Sequence, residues 1–172
     1  MSVERTEFLE VLKNSYSAYY NIIPQETETD LPLIFRADYS SRDERYWVTK
    51  KIKIWANEKN EYAYIFSAES FDSDMVDRCV ARALEESLPR VKPHSEHQYS
   101  NVKTLFVADS FDKDTIKHIQ KLKFEKSYKH SLHGFTMLKA AAVDLSREEA
   151  YPNAAAYELT AYFKKLFAAG RK

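Results

Sequence analysis

The chain has 172 residues, two glycines, one cysteine and 26 basic against 26 acidic side chains. That length can bury one core without metals or disulfides, and net neutrality removes the overall field that would draw it to nucleic acid or an acidic membrane surface. Cys79 has no partner for an internal bridge, and two glycines cannot build the loops that bring backbone against phosphates, so neither a Walker loop nor a dinucleotide fingerprint is present. The first residues, Met1-Ser2-Val3-Glu4-Arg5, place charge where a signal peptide needs an apolar run, and no window approaches the ~18 apolar residues of a membrane span. The expectation is one cytoplasmic domain over 1–172, with 168–172 as a frayed tail and no membrane partner.

The predicted elements follow in chain order. Phe8, Leu9, Leu12, Tyr16, Tyr19 and Tyr20 recur at three- and four-residue steps and predict an amphipathic helix to about residue 20, followed by an acidic loop over 24–30. Alternation predicts strands at 31–39, 46–55 and 62–66, with loops at 40–44 and 56–60, so that 45–66 is a β-hairpin in a three-stranded antiparallel meander. Asp72 or Ser73 caps a helix whose stripe of Met75, Val76, Cys79, Val80, Ala83, Leu84 and Leu88 ends at Pro89.

A strand apolar on both faces, 102–107, belongs in the middle of a sheet, and the helix before it implies a right-handed crossover between parallel strands. Asp112 caps a shorter helix whose outer ridge is Lys113, Lys117 and Lys121. Two strand-like stretches flank His133-Gly134. Ser146 and Glu149 then suggest a capping box, with Pro152 starting a last helix. The fold class is therefore α/β with a mixed sheet: helix, three-stranded antiparallel meander, helix, strand, helix, two strands, helix, about six strands covered by helices.

Three constellations could carry function. His94-x-x-His97 and His130-x-x-His133 could bring imidazoles to a divalent metal with Glu96 as a further ligand or base, so the expected metal set is His94, Glu96, His97 and His133. The alternative is that these histidines hydrogen-bond loop backbone or sit in solvent. On the hairpin, Lys51 and Lys53 share a face with Trp47 and Trp55, a basic aromatic surface of the kind that stacks single-stranded nucleic acid, or else a solvated face whose lysine stems cover the tryptophans. Lys50 falls among the core-facing residues and needs a carboxylate partner, for which Asp38 is the nearest candidate, or a route to water. Twelve tyrosines make self-association a further open reading.

The segments Tyr46-Trp-Val-Thr-Lys-Lys-Ile-Lys-Ile-Trp55, Lys92-Pro-His-Ser-Glu-His97 and Ser131-Leu-His-Gly-Phe135 resemble an uncharacterised group of small cytosolic proteins from Firmicute bacteria, over residues 33–145. That resemblance implies no activity. The element order is also similar to the core of restriction-endonuclease-like nucleases, but only Asp38 stands where that active site would need an acid, and the Glu-x-Lys is missing. Two function classes result: a binding module using the outer face of the 45–66 hairpin, for a protein or a nucleic acid, and a metal-assisted hydrolase around His94, Glu96 and His97. The sequence does not decide whether the protein is an enzyme.

Overall fold

The computed structural model describes residues 3–25, 29–47 and 52–170, the side chains of residues 3, 44–47 and 52–56 excepted. Helix α1 (Val3–Ser17) leads into β1 (Asn21–Pro24), then β2 (Leu33–Trp47) and β3 (Ile52–Ala68). Helix α2 (Ser73–Ser87) connects β3 to β4 (His97–Ala108), and α3 (Lys113–Lys121) connects β4 to β5 (Glu125–Ser127) and β6 (Phe135–Asp144). The chain closes with β7 (Glu149–Pro152) and α4 (Leu159–Ala169). One seven-stranded mixed sheet results, in the order β1-β2-β3-β4-β6-β5, with β7 pairing to β6.

Alternation along the central strands splits the core into two layers. Tyr62, Tyr64, Phe66, Val102, Phe106 and Leu138 point to the side covered by α2 and α3, where Val76, Cys79, Ala83, Ile116 and Ile119 meet them. Ala63, Ile65, Leu105, Val107, Ala141 and Val143 point to the side covered by α1 and α4, against Leu9, Leu12, Leu159 and Phe163. Each fully buried side chain of the size of Leu12, Ile65 or Phe163 contributes about 1.5–3 kcal/mol by leaving water. Both helical layers are therefore needed to close the sheet.

The four helices follow in the predicted order and β3 and β4 are parallel across the α2 crossover, whereas β1 and β7 are strands that the prediction lacks. Asp72 and Asp112 cap α2 and α3, their carboxylates accepting from the Met75 and Thr115 amides at 2.7 and 2.8 Å. The meander differs in its bounds. It consists of β1, β2 and β3, because the predicted loops at 40–44 and 56–60 pair with each other, from Ser40 opposite Asn60 to Glu44 opposite Ala56. Polar residues there continue the β2–β3 ladder, with Glu58, Lys59 and Asn60 also paired to β4. Lys50 and Lys51 lie outside the described residues.

The expected capping box over Ser146 and Glu149 is a turn and a strand instead. Asp144, wholly buried, accepts from Ser146 Oγ at 2.7 Å and from the Phe111 and Arg147 amides at 3.0 Å, and this reversal folds β7 back onto β6. Helix α4 accordingly begins at Leu159, seven residues beyond Pro152. Its approach is fixed by Asn153, whose side chain donates to the Leu122 and Leu138 carbonyls and accepts from the Ala140 amide.

Candidate functional site

The histidines singled out in the sequence gather at the amino-terminal end of β4. His97 is buried, and its Nδ1 donates to the His133 carbonyl at 2.7 Å, which leaves Nε2 to accept from Ser100 Oγ at 2.8 Å. Asn60 Nδ2 donates to the same Ser100 oxygen and to Glu58 Oε1. His94 Nδ1 accepts from the Glu96 amide, so its Nε2 donates to Glu58 Oε2 at 3.1 Å. The Asn60 hydrogen bond first, with His94 behind it, holds the Glu58 carboxyl below its usual value. Arg42 bridges Glu96 and Glu58 above.

His94, Glu96 and His97 are thus neighbours, as their spacing suggested, while His133 contributes its carbonyl oxygen. The ring nitrogens of His94 and His97 serve hydrogen bonds, and among the described residues no group of three His, Cys, Asp or Glu stands where it could hold a metal ion. Gly134 makes the arrangement possible: at φ +77° it passes so close that a Cβ would lie 2.6 Å from His97 Nδ1 and 2.4 Å from the Gln98 carbonyl. Asp38 pairs with Arg90, whose guanidinium lies 4.1 Å over the Tyr62 ring. The side chains of Trp47, Lys53 and Trp55 lie outside the described residues, as does Lys51.

A second polar group occupies the opposite face of the same strands. Lys103 stands on β4, where its neighbours in sequence are core residues, and its side chain is only 8% exposed. Its Nζ donates to Glu61 Oε2 at 2.8 Å and to the Tyr20 hydroxyl at 3.2 Å, and Tyr20 in turn donates to Glu61 Oε2. The ammonium also sits 5.7 Å from the Tyr16 ring centroid and 5.5 Å from that of Tyr20. The last turn of α1, which ends at Ser17, and the first turn of α4, which begins at Leu159, flank this part of the sheet.

The opening between them is a cleft of about 310 Å³ lined by Ser15, Tyr16, Tyr19, Tyr20, Tyr162 and Leu159, with Glu61 and Lys103 on its floor and Glu158 at its rim. Tyr16 and Tyr20 pack with ring centroids 4.7 Å apart, and Tyr162 meets Tyr16 edge-on at 6.3 Å. Lys139 pairs with Glu158 beside the opening. A larger hollow of about 580 Å³ between β7 and α4 has Arg147, Glu149, Thr160 and Lys164 around it, and none of its lining residues is buried. Its Arg147 guanidinium is already held by the buried Asp144 carboxylate and the Phe111 carbonyl.

The electrostatics of the cleft are those of a locked pair. Burial works against the Lys103 ammonium, but the Glu61 carboxylate and Tyr20 together outweigh it and raise its pKa. Burial likewise opposes the Glu61 charge, and Lys103 with Tyr20 reverses that, holding the carboxyl below 4.5. Burial drives the Tyr20 phenol up. None of the three exchanges a proton near neutral pH, so the arrangement fixes charge and hydrogen-bond valence in place.

The signal that could have found this site is Lys103 itself, one charge in the strand Val102-Lys-Thr-Leu-Phe-Val107. Its partners Tyr20 and Glu61 are 83 and 42 positions away, so no local pattern names them.

A family model, described as a domain of unknown function (DUF8052), matches residues 4–165. The chain belongs to this family. The match takes in α1, the whole sheet and most of α4, so Tyr20, Glu61 and Lys103 all lie within the DUF8052 domain. No curated protein and no solved structure matches the chain. Among the described residues no helix is long and apolar enough to cross a membrane.

Proposed function

We propose that the protein is a small-molecule-binding domain whose site is the tyrosine-walled cleft over Glu61 and Lys103. The observation that carries this reading is a buried charged pair in the centre of a sheet that lines a cleft. Two charges in a core cost several kcal/mol each to desolvate, and an apolar pair of similar size is often as stable or more so. A pair kept at that cost, at the floor of an opening between two helix ends, has a use in recognition. The rings of Tyr16, Tyr20 and Tyr162 supply rigid apolar walls, and the floor supplies a few oriented polar groups, which is the usual composition of a ligand pocket.

The test uses a library of small polar aromatic compounds, read by ligand-detected NMR against the wild-type protein and against the variant E61Q/K103M. The amide oxygen introduced by Glu61→Gln would still accept from Tyr20, so the variant removes both charges and keeps that hydrogen bond. Binders lost in E61Q/K103M support the cleft. A library that yields no binder, or only binders that E61Q/K103M retains, refutes it.

A further inference from the structure

The cleft floor has two unspent hydrogen-bond valences side by side. An ammonium has three N–H donors; Lys103 gives one to Glu61 and one to Tyr20, which leaves one for the cleft it lines. Both hydrogen bonds to Glu61 fall on Oε2, so among the described residues Oε1 is a free acceptor next to that free donor. The Tyr16 hydroxyl also makes no hydrogen bond among the described residues, although the residue is only 4% exposed and lines the cleft.

Charge narrows what can sit there. Lys103 is balanced by Glu61, and Lys139 by Glu158, so the walls carry no net charge. An anion drawn to Lys103 would face Glu61 and Glu158. A cation would meet tyrosine rings that Lys103 already occupies. The complementary ligand is net neutral, flat enough to lie against tyrosines, and presents acceptor and donor next to each other on one edge.

Resting on the cleft being a small-molecule site, we propose that its ligand is a planar heterocycle with a carbonyl beside a ring N–H, the lactam edge of a guanine- or uracil-type base, taken as the free base or nucleoside. The ring N–H donates to Glu61 Oε1 and the carbonyl accepts from Lys103. A carbonyl oxygen has two lone pairs and can accept from Tyr16 as well, which the single lone pair of an adenine ring nitrogen cannot do. Stacking on aromatic side chains is how proteins hold unstacked bases. The rim provides Ser15, Tyr19 and Glu158 and, among the described residues, no unpaired basic side chain, so none of these would track the phosphates of a strand. A cleft of about 310 Å³ also suits one base with part of a ribose.

Calorimetric titration of the full chain with guanosine, uridine, 1-methylguanosine, 3-methyluridine, adenosine and a hexauridylate tests this. Guanosine or uridine should bind, N-methylation of the edge should weaken the binding at least about tenfold, and adenosine should bind less tightly than the parent. The methylated ligands probe the wild-type protein, so this arm needs no variant to fold. Equal affinity for methylated and parent nucleosides, or no binding of guanosine and uridine, overturns the lactam assignment. If those two fail while other aromatic compounds bind and are lost in E61Q/K103M, the ligand class is wrong and the cleft stands. If no compound of either set binds, both readings fall. Tighter, salt-sensitive binding of the hexauridylate than of uridine overturns the free nucleoside as the source.

Discussion

Asn60 and Glu61 are consecutive on β3, and each anchors a polar cluster on its own face of the sheet. On the α2 side, Asn60, Ser100 and His97 use one another: both His97 ring nitrogens are taken, the Ser100 hydroxyl donates and accepts, and all three residues are buried. On the α1 side, Glu61 and Lys103 satisfy each other and Tyr20, and among the described residues Glu61 Oε1 and one N–H of Lys103 are left without a partner where both residues line a cleft. The closed cluster ties β3, β4 and the loop before β6 together. The open one holds valence in reserve. Burial and hydrogen-bond count together separate a polar group that builds the fold from one that can meet a ligand.

Breaking one partner at a time should expose the difference. Glu61→Ala leaves the Lys103 ammonium buried without its counter-ion and should cost about 3–5 kcal/mol in urea unfolding. Gly134→Ala puts a side chain at φ +77° against the His97 ring and should cost about 2 kcal/mol or more by the same measurement, with cleft binding unchanged in the folded protein. His97→Ala strips the closed cluster of its centre and should cost about 1–3 kcal/mol, again with no effect on the cleft. A His97 or Gly134 variant that folds but loses cleft ligands would show that the two clusters are one unit.

The smallest expected effect is in pH. Glu61 titrates lower in the fold than its unfolded value of 4.5, so its contribution is present above 4.5 and is lost as pH falls through the folded value. Lys103 titrates above 10.5 in the fold, so its contribution is present below 10.5 and is lost as pH rises through the folded value. The stability difference between wild type and E61Q/K103M should therefore be flat from about pH 6 to 9. A slope in that window, measured by urea unfolding at each pH, would mean that one of the pair changes charge near neutrality.

Much of this fold can be read along the chain, and the site hardly at all. Helices α2 and α3 announce themselves because cap and apolar stripe are local signals, met by Asp72 with Val76, Cys79 and Ala83, and by Asp112 with Ile116 and Ile119. The bounds of β2 and β3 are hidden because Ser40, Ser41, Asn57 and Asn60 have loop-like composition, and only their pairing in the β2–β3 ladder makes them strand. The start of α4 depends on Asn153 bonding to Leu122, Leu138 and Ala140, contacts between distant segments. His94 and His97 were legible as a cluster from a spacing of three. Tyr20, Glu61 and Lys103 come together only when α1, β3 and β4 are assembled.

The most direct test of the central claim is urea unfolding of E61Q/K103M beside the wild type, with the slope checked to be the same for both. A pair retained for binding should be dispensable for folding, and the variant should unfold within about 1 kcal/mol of the wild type or at higher urea. A loss as large as that of Glu61→Ala would make the pair a structural element like the His97 cluster and contradict the account.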